Sequence, residues 1–558
     1  MQRYIRSPLA LTLSISLLAN FLTACNNAQP PDNTASSPTT TAPSDQGLKL
    51  GALLPITGDL AAIGQNMPEA AALAVETINA CGGVNGKPVT LVKEDDQTDP
   101  AAGASAMTKL AEVDKVAGVI GSFASSVSGA AVDVAVRNKV MLVSPGSTSP
   151  VFTDRAKKGD FQGFWARTAP PDTYQAQALA VLAKKKGFQD VATVVINNDY
   201  GVGFEREFVS AFDKLGGTIT NKQNPVRYDP KAATLDSEAA AAFANQPDAV
   251  AAVLYAETGS LLLQAAYKQG LTKGVTVLLT DGVYSEDFTK QVGKGTDGKS
   301  IIAGALGTVP GADGQALSAF TTLWKEKTGK DVTAFVPHTW DAAILLMLAA
   351  EAAKSNTGEG IQSKIREVAN GPGTEVTDAC QAMEMIRKGE DINYQGASGN
   401  VDIDENGDVV GSYDVWTVKD DGTLKVIDKV TPNQWSVISD QWSVISNQEI
   451  VFIYSLCSPS PLSPPTPTKS VDSSILCAFC QKNFFFAIKL HKKKIIVVGE
   501  IDSFTCLNWD YLLGVARVST FAAQKSIEYP IMKLYQIAVT IGTSLLNKNL
   551  SQLILKNL

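Results

Sequence analysis

Val116-Ala117-Gly118-Val119-Ile120, followed by Gly121-Ser122-Phe123-Ala124-Ser125-Ser126, is the stretch that decides the fold of this chain. Its first five residues form a continuous apolar run, which is typical of a strand buried on both faces of a parallel sheet. The hydroxyl-rich turn leads into a helical segment over 128–137, and a second apolar run follows at 140–143. This order of strand, helix and strand predicts a right-handed crossover between parallel strands.

The same alternation of short apolar runs and Ala-rich stretches extends from Leu48 to about Leu306. It predicts an α/β fold whose parallel sheets carry helices on both faces. The elements are too many for one ordinary sheet, so we expect two doubly wound lobes. The predicted strands are 48–54, 89–93, 116–120, 140–143, 191–196, 249–254, 275–279 and 301–305, and the main predicted helices are 68–78, 100–113, 128–137, 173–186, 204–215 and 259–269.

The boundaries of the two lobes are predicted from Pro170-Pro171 and from three later helices. A residue before proline is biased towards extended backbone, so the proline pair indicates the first crossing. Helices predicted at 315–327, 339–354 and 360–369 suggest a return to the first lobe. We therefore assign residues 48–168 with about 303–372 to the first lobe, and residues 169–302 with about 373–431 to the second.

The end of the second lobe has the pattern of antiparallel structure. Glu405-Asn406-Gly407-Asp408 lies between two short apolar runs and predicts a hairpin turn, with further strands at 412–418 and 424–427. Asp402-x-Asp404-x-Asn406-Gly407 also matches the first half of a calcium-binding loop. The twelfth position of such a loop must supply a bidentate carboxylate, and Tyr413 stands there, so the hairpin is favoured.

The N-terminus has the features of an export signal. Arg3 and Arg6 precede an apolar segment over 9–22, which is too short for a comfortable membrane span. It ends in Leu22-Thr23-Ala24-Cys25, which resembles the lipobox of bacterial lipoproteins; an ordinary signal peptide with a chance cysteine is the alternative. We expect a signal peptide over 1–24, acylation of Cys25, and a flexible linker over 25–47 that is rich in Pro, Ser and Thr.

The C-terminal residues 432–558 differ in character from the rest of the chain. Gln434–Asp440 is repeated almost perfectly as Gln441–Asn447, and a Pro- and Ser-rich stretch follows over 458–467. Two copies of a heptad are too few for a repeat architecture, and no sustained period of 2 or 3.6 is visible. We expect this tail to be disordered and interpret it as translated repeat or intergenic sequence.

Composition excludes several classes of function. The chain has 558 residues with 48 Lys and Arg against 56 Asp and Glu, and an acidic chain argues against nucleic-acid binding. It contains two histidines, His338 and His491, and neither a Gly-x-Ser-x-Gly elbow nor a phosphate-binding loop. We therefore expect no enzymatic activity, no cofactor and no metal. His338 is interpreted as a capped or buried histidine.

The remaining cysteines leave two alternatives open. Cys81 and Cys380 are the cysteines of the globular part, and in an exported protein they are either paired as a disulfide or present as two buried thiols. In the tail, Cys477-x-x-Cys480 with His491 partly matches the pattern of a metal-binding site. Its spacing fits no common zinc finger, so we do not expect a metal there.

Two loops carry the candidate binding residues. Gly121–Ser126 and Ser144–Ser149 each follow an apolar strand and are rich in hydroxyls. Ligands bind at the carboxyl ends of the strands in open parallel sheets, and hydroxyls with free N–H groups can hold a carboxylate there. The hydroxyl groups of both loops, Ser147 among them, are therefore candidate ligand-binding groups, with simple capping of helices by Ser and Thr as the alternative.

At this point the chain resembles a known family, the branched-chain amino-acid-binding proteins of ABC transporters, which have the type I periplasmic-binding-protein fold. The resemblance covers about residues 48–430 and excludes the tail. It implies two α/β lobes joined by a three-crossover hinge. The matching stretches are Gly51–Gly58, Ile78–Pro88, Asp95–Pro100, Val143–Thr148 and Asn198–Gly201.

The resemblance also implies roles for single residues. Ser125 would bind a ligand carboxylate, the Gly146 carbonyl would accept from an ammonium, and Thr148 would hold both groups. Asp281 would be the acidic partner of the ammonium, where family members often have Glu. The remaining positions are Tyr200, an aromatic that lines the cleft, and Ile63, where the family often has an aromatic that contacts the ligand side chain.

The resemblance finally implies a place of action and partners. We expect a monomeric solute-binding protein that is held by lipid on the periplasmic side of the cytoplasmic membrane. It would pass an amino acid, branched-chain or otherwise neutral, to the permease and ATPase subunits of an ABC importer. The same fold binding urea, amides or another small solute, and a ligand-sensing ectodomain, remain as alternatives.

Overall fold

A computed structural model describes residues 47–431, together with residues 477–481, 484–491 and 494–498 near the C-terminus. The first lobe is built on five parallel strands, of which three central ones are almost wholly buried. They are β1 (Lys49–Leu54), β2 (Thr90–Asp95), β3 (Gly118–Gly121), β4 (Met141–Ser144) and β5 (Trp165–Arg167). Their order across the sheet is β2-β1-β3-β4-β5, so β3 and β4 are direct neighbours.

Helices connect these strands in the predicted manner. The π-helical turn Lys109–Val113 continues one of them, and the longest two have apolar faces that pack on the sheet. They are α1 (Ala61–Gly64), α2 (Met67–Ala80), α3 (Pro100–Thr108), α4 (Ser125–Asn138) and α5 (Val151–Ala156). The prediction of a strand–helix–strand unit around Ile120 is confirmed.

The second lobe begins after Pro170-Pro171 with α6. Its parallel strands are β6 (Asp190–Ile196), β7 (Thr218–Ile219), β8 (Val226–Tyr228), β9 (Ala249–Val253), β10 (Thr276–Leu279) and β11 (Leu306–Pro310). Its helices are α6 (Asp172–Lys185), α7 (Asp199–Lys214), α8 (Asp236–Ala242), α9 (Ala256–Lys268) and α10 (Glu286–Val292), with a short 3-10 helix over Asp281–Val283. Parallel pairing joins β6 to β7, β8 and β9, and then β9 to β10 and β10 to β11.

The chain then returns to the first lobe and leaves it again. The returning elements are α11 (Leu317–Thr328), α12 (Val336–Ala352), α13 (Gly358–Ala369), β12 (Thr374–Val376), α14 (Ala379–Lys388) and β13 (Ile392–Tyr394). Almost every side chain of α12 is buried, because this helix lies between the sheet and the other returning helices. The antiparallel pair β14 (Tyr413–Val418) and β15 (Leu424–Val430) completes the second sheet, in the order β15-β14-β11-β10-β9-β6-β7.

Two predicted lobe boundaries are wrong. Residues 301–304 form turns, and the strand that follows, β11, belongs to the second sheet, so the second crossing comes after residue 310. The third crossing comes after Val409, because Val376, Met383 and Val409 lie in the same apolar cluster as the strands of the first lobe. The pattern of α14 shows which face is apolar, but it does not show which lobe that face covers.

The predictions for single strands and turns are confirmed in part. The antiparallel strands at 412–418 and 424–427 are confirmed as β14 and β15. A turn is present at Gly407, whose N–H donates to Asp404 O at 3.2 Å, but the residues beside it are not strands. Five strands of residues 47–431 were not predicted from the sequence: β5, β7, β8, β12 and β13. Each has two or three residues and shows no long apolar run.

Cys81 and Cys380 are brought together by the returning helices. Cys81 follows the end of α2, Cys380 lies in the first turn of α14, and the two are joined as a disulfide with Cα atoms 5.6 Å apart. This Cα separation is the usual one for a disulfide. Of the two alternatives left by the sequence, the structure has the paired form.

The C-terminal unit contains a separate antiparallel sheet of β16 (Cys477–Gln481), β17 (Phe484–His491) and β18 (Lys494–Val498). We expected disorder there, and for these strands that expectation is wrong, since aromatic and β-branched residues dominate β17 and β18. The predicted signal peptide, Cys25, most of the linker and the heptad repeat lie outside the described residues. Among the described helices, none has the length and apolar character needed to cross a membrane.

Candidate ligand-binding site

The first candidate loop ends in the open N-terminus of α4. The preceding residue, Ala124, has no side chain that could cap the helix, and no acidic residue lies in the first turn. Ser125 is the first helical residue, is 2% exposed, and accepts a hydrogen bond from Ser149 N at 3.3 Å. A helix N-terminus offers N–H donors and positive partial charge, so this end of the site favours an anion such as a carboxylate.

In the second candidate loop, residues 144–149, one N–H group of the part over 146–149 has no partner among the described residues. The N–H groups of Gly146 and Ser147 both lie within hydrogen-bonding distance of Ser144 Oγ, at 3.3 and 2.9 Å. Ser149 N–H donates to the hydroxyl of the first residue of α4. Within the described part of the chain, no acceptor meets Thr148 N–H, so this donor is available to a ligand.

The carbonyl groups of the same loop show a matching pattern. Ser147 O and Ser149 O accept from Arg167 Nη1 at 2.9 and 3.0 Å, and Thr148 O accepts from the first N–H of α6 at 2.8 Å. No donor among the described residues reaches Gly146 O. The backbone of residues 146–149 therefore presents one free acceptor, Gly146 O, and one free donor, Thr148 N–H. These are the two residues whose backbone or side chain the resemblance places at the ligand.

Ser147 has a different position from the one expected. Its hydroxyl lies 3.0 Å from Phe123 O, 3.2 Å from Ser122 O and 2.8 Å from Ser128 Oγ. These contacts tie the second loop to the first one beneath the cleft. The Ser147 hydroxyl therefore supports the loops, and its partners are protein groups.

Asp281 lies at the start of the 3-10 helix that follows β10, and its carboxylate is buried. Gln175 Nε2 donates to Asp281 Oδ1 at 2.8 Å, and Tyr200 Oη lies 2.9 Å from the same oxygen. Burial raises the pKa of Asp281 to about 6, because a carboxylate loses its hydration inside the protein. A buried carboxylate of this kind gains from a cationic partner.

Asp172 was missed by the sequence analysis. It is the first residue of α6, is completely buried, and neither carboxylate oxygen has a hydrogen-bond partner among the described residues. Burial and the nearby charge of Asp281 raise the pKa of Asp172 well above its ordinary value, and the Thr148 hydroxyl lowers it by a smaller amount. An acid in the first turn of a helix is common, so the sequence alone gave no signal that this one faces a site.

Unsatisfied polar atoms concentrate around these two acids. Thr148 Oγ1, Gln175 Oε1 and both oxygens of Asp172 are buried without a partner in the described structure. Each such atom costs roughly 1–3 kcal/mol when nothing replaces its water, so most buried polar atoms are paired. Their concentration at one place indicates that a bound ligand supplies the missing partners.

Aromatic side chains surround the polar groups. Tyr200 stacks on Tyr255 with ring centroids 5.7 Å apart, and Phe123 meets Phe335 edge-on at 4.8 Å. Ile63 is buried in the same continuous apolar cluster. A Cβ on Gly146 would lie 2.1 Å from the Phe123 ring, so only glycine permits this close approach.

His338 is buried beside this cluster, as interpreted from the sequence. Its ring centroid lies 5.5 Å from that of Phe335, and Nδ1 has no hydrogen-bond partner among the described residues. Burial lowers the pKa of His338 to about 3, so the ring is neutral near pH 7. We found no group of three His, Cys, Asp or Glu residues arranged for a metal ion in the described ranges.

The two lobes contact each other across the cleft, so the structure is a closed arrangement. Asp59 Oδ1 of the first lobe accepts from Glu257 N at 2.8 Å, at the N-terminus of α9 in the second lobe, and Asp59 Oδ2 lies 3.3 Å from Thr258 Oγ1. Ser149 Oγ donates to Asp199 O at 2.7 Å. The polar groups described above are therefore enclosed between the lobes.

Comparison with known proteins agrees with this geometry. A family model described as the receptor family ligand binding region matches residues 66–421. The substrate-binding protein BasB of a chemotactic signal transduction system in Halobacterium salinarum is 28% identical over 396 residues, which cover 68% of this chain and 88% of BasB. A Leu/Ile/Val-binding protein homolog of Brucella abortus is 33% identical over 177 residues, 30% of this chain and 44% of the relative.

Solved structures show the same architecture. The leucine-binding protein LivK of Thermotoga maritima superposes with a TM-score of 0.58 at 27% identity, covering 69% of this chain and 99% of LivK. The substrate-binding protein LivJ of Streptococcus pneumoniae, at 21% identity and a TM-score of 0.57, shares the fold. The chain therefore belongs to the receptor ligand-binding family and has the type I periplasmic-binding-protein fold that its resemblance to the branched-chain amino-acid-binding proteins implied.

Proposed function

We propose that this protein binds a free amino acid between its two lobes and serves as the solute-binding component of an ABC importer. The observation that carries the proposal is the opposite polarity of the two ends of the site. Ser125, the N-terminus of α4 and the free Thr148 N–H suit an α-carboxylate. Gly146 O, Asp172 and Asp281 suit an α-ammonium, which forms strong charge-assisted hydrogen bonds with such acceptors.

Closure of the hinge is the proposed mechanism. The carboxylate end belongs to the first lobe, whereas Asp172 and Asp281 belong to the second, so a zwitterion bridges the lobes. A ligand that contacts both lobes has more interactions in the closed form and shifts the population towards it. The permease would then recognise the closed form.

The apolar surroundings support a neutral side chain on the ligand. Phe123, Phe335, Tyr200 and Ile63 are buried together and contribute little polar surface. The names of two relatives support the same class of ligand. The Brucella relative is a Leu/Ile/Val-binding protein homolog, and the Thermotoga relative is a leucine-binding protein. We therefore propose a branched-chain or similar neutral amino acid.

Location and partners follow from the same proposal. Acylation at Cys25 would hold a monomer on the periplasmic side of the cytoplasmic membrane, near the permease and its ATPase subunits. The linker over 25–47 would let the globular part dock while it remains anchored.

A thermal-shift screen against the twenty amino acids and urea tests the proposal. A raised melting temperature with leucine, isoleucine or valine, and none with urea, is the expected result, because a ligand that binds only the native state stabilises it. If no amino acid raises the melting temperature, amino-acid binding is wrong.

A sensory role is the second candidate. BasB, which matches over 88% of its length, is named as a substrate-binding protein of a chemotactic signal transduction system. The ligand would be the same, but the closed form would bind a transducer instead of a permease. Co-purification of the lipidated protein from membranes with and without leucine distinguishes the two partners.

A further inference from the structure

We propose that Arg167 is a positioning residue that aims the Thr148 N–H into the cleft and holds it there for the ligand carboxylate. The inference rests on the proposed function, since it assigns a role within the same site. Arg167 is completely buried, and its guanidinium is hydrogen-bonded to protein groups. It therefore acts through the backbone of the loop 146–149.

The guanidinium of Arg167 is fully engaged. Nη1 donates to Ser147 O at 2.9 Å and to Ser149 O at 3.0 Å. Nη2 donates to Thr153 Oγ1 at 2.9 Å, and Nε donates to Asp408 Oδ1 at 2.8 Å. The flat fork of five N–H donors allows these contacts together, which a lysine ammonium cannot reproduce.

Peptide geometry transmits this contact to the site. In a trans peptide the carbonyl oxygen and the following N–H point in opposite directions. Because Ser147 O points to Arg167, Thr148 N–H points away from Arg167, where no acceptor among the described residues meets it. Arg167 also holds the carbonyl of Ser149, but the following residue is Pro150, which has no N–H group. Thr148 N–H is therefore the donor that these two contacts orient.

The position of Arg167 is in turn fixed by the third crossing between the lobes. Asp408 pairs with Arg167 Nη2 at 2.7 Å, and Thr153 donates its hydroxyl to Asp408 Oδ2 at 2.6 Å. The backbone N–H of Arg167 donates to Gly407 O at 2.9 Å. The geometry of the carboxylate-binding loop is thus linked to a segment that connects the lobes.

The test uses Arg167→Lys in the full chain, with L-leucine and L-leucinamide as probes in calorimetric titrations. Leucinamide keeps the ammonium and the side chain but has no carboxylate. We expect Arg167→Lys to weaken leucine at least tenfold more than leucinamide, and Asp408→Asn to act in the same direction. Arg155→Lys is the matched control, because Arg155 pairs with Asp133 and Asp160 on the surface of the same lobe.

Equal losses for the two probes, or no loss for either, would overturn the proposal, because a general structural role does not depend on the ligand carboxylate. A wild-type protein that binds neither probe would instead contradict the proposed function. Hydrogen–deuterium exchange of the ligand-free protein tests the positioning role in that case. Exchange at least tenfold faster in Arg167→Lys, confined to the peptide over 144–152, supports it, whereas uniformly faster or unchanged exchange overturns it.

Discussion

At the scale of single residues, Asp281 has a clear expected contribution to binding. Its carboxylate is buried and held by Gln175 and Tyr200, so it is already oriented for an ammonium. Asp281→Asn keeps the shape and removes the charge. Hydrogen bonds to charged groups contribute about 1.5–3 kcal/mol, so we expect leucine affinity to fall roughly 10–100-fold, measured by calorimetry.

Asp287→Asn is the matched control for that measurement. Asp287 lies close by in sequence, is half-exposed and pairs with Lys290 on the surface. Removing an exposed pair of this kind changes little. If Asp281→Asn binds leucine as well as the control does, Asp281 is not the partner of the ammonium.

The raised pKa of Asp281 also predicts a dependence on pH. Burial raises it from 3.8 to about 6, so in the ligand-free protein the folded state holds a proton that the unfolded state releases above about pH 4. The stability contributed by this group is therefore present below about pH 4 and is lost as the pH rises to about 6. An ammonium needs the ionised form, so the affinity for leucine should increase over the same interval.

Thermal melts with and without leucine at pH 4.5, 5.5 and 7 measure both effects. Asp96 and Asp341 also have pKa values raised to about 6 by burial, so the ligand-free curve includes their contributions. Asp281→Asn leaves Asp96 and Asp341 unchanged, but it also removes the charge that helps to raise the pKa of Asp172. The difference between the variant and wild-type curves therefore measures Asp281 together with Asp172. A stabilisation by leucine that is constant across the three pH values would contradict the prediction.

Among the secondary-structure elements, the N-terminus of α9 is expected to control closure. Asp59 of the first lobe accepts hydrogen bonds from Glu257 N and Thr258 Oγ1 of this helix, and α9 has no side-chain cap of its own. Asp59→Ala removes a cap contact that bridges the lobes in the closed arrangement. Losing a cap costs about 1 kcal/mol, so we expect leucine affinity to fall about fivefold.

Lys231→Ala is the comparison for the Asp59 variant. Lys231 pairs with Asp99 between the same lobes at 3.2 Å, but its side chain is 79% exposed. We expect less than a twofold change in leucine affinity, since exposed ion pairs contribute little. Calorimetric titration measures the leucine affinity of both variants, and small-angle scattering measures the closure of their leucine-bound states. Equal changes in the two variants would argue against a specific role of the α9 cap.

The elements also show how much of the fold and of the site a sequence can predict. Strands such as β1 and β9 are continuous apolar runs because both faces are buried, and for that reason they could be predicted from the sequence. The stretch that forms α14 was assigned to the wrong lobe, since an amphipathic pattern does not identify the surface that its apolar face covers. Asp172 was missed for a related reason: its role depends on burial beside Asp281, which is a property of the folded chain.

For the whole molecule, the disulfide is expected to stabilise the first lobe. Cys81 and Cys380 join α2 to α14 across a long stretch of sequence, and loss of a native disulfide typically costs about 2–5 kcal/mol. The double replacement of both cysteines by serine should lower the free energy of unfolding by this amount in urea. Leucine affinity should stay within twofold, because neither cysteine is part of the candidate site. Two alkylatable thiols in the unreduced wild-type protein would contradict the pairing.

The last prediction concerns the length of chain that the function needs. The second sheet is completed by β15, which ends at Val430, and the buried apolar clusters of both lobes are formed by residues 48–430. The site residues lie between Ile63 and Phe335, so a protein that ends at Thr431 retains every group assigned to the ligand. We expect this shortened protein to bind leucine with the same affinity as the full chain, in parallel titrations at equal concentration. A shortened protein that folds, judged by circular dichroism, but binds leucine more than tenfold weaker would show that the residues after 431 contribute to binding. In that case their interpretation as translated intergenic sequence would be wrong.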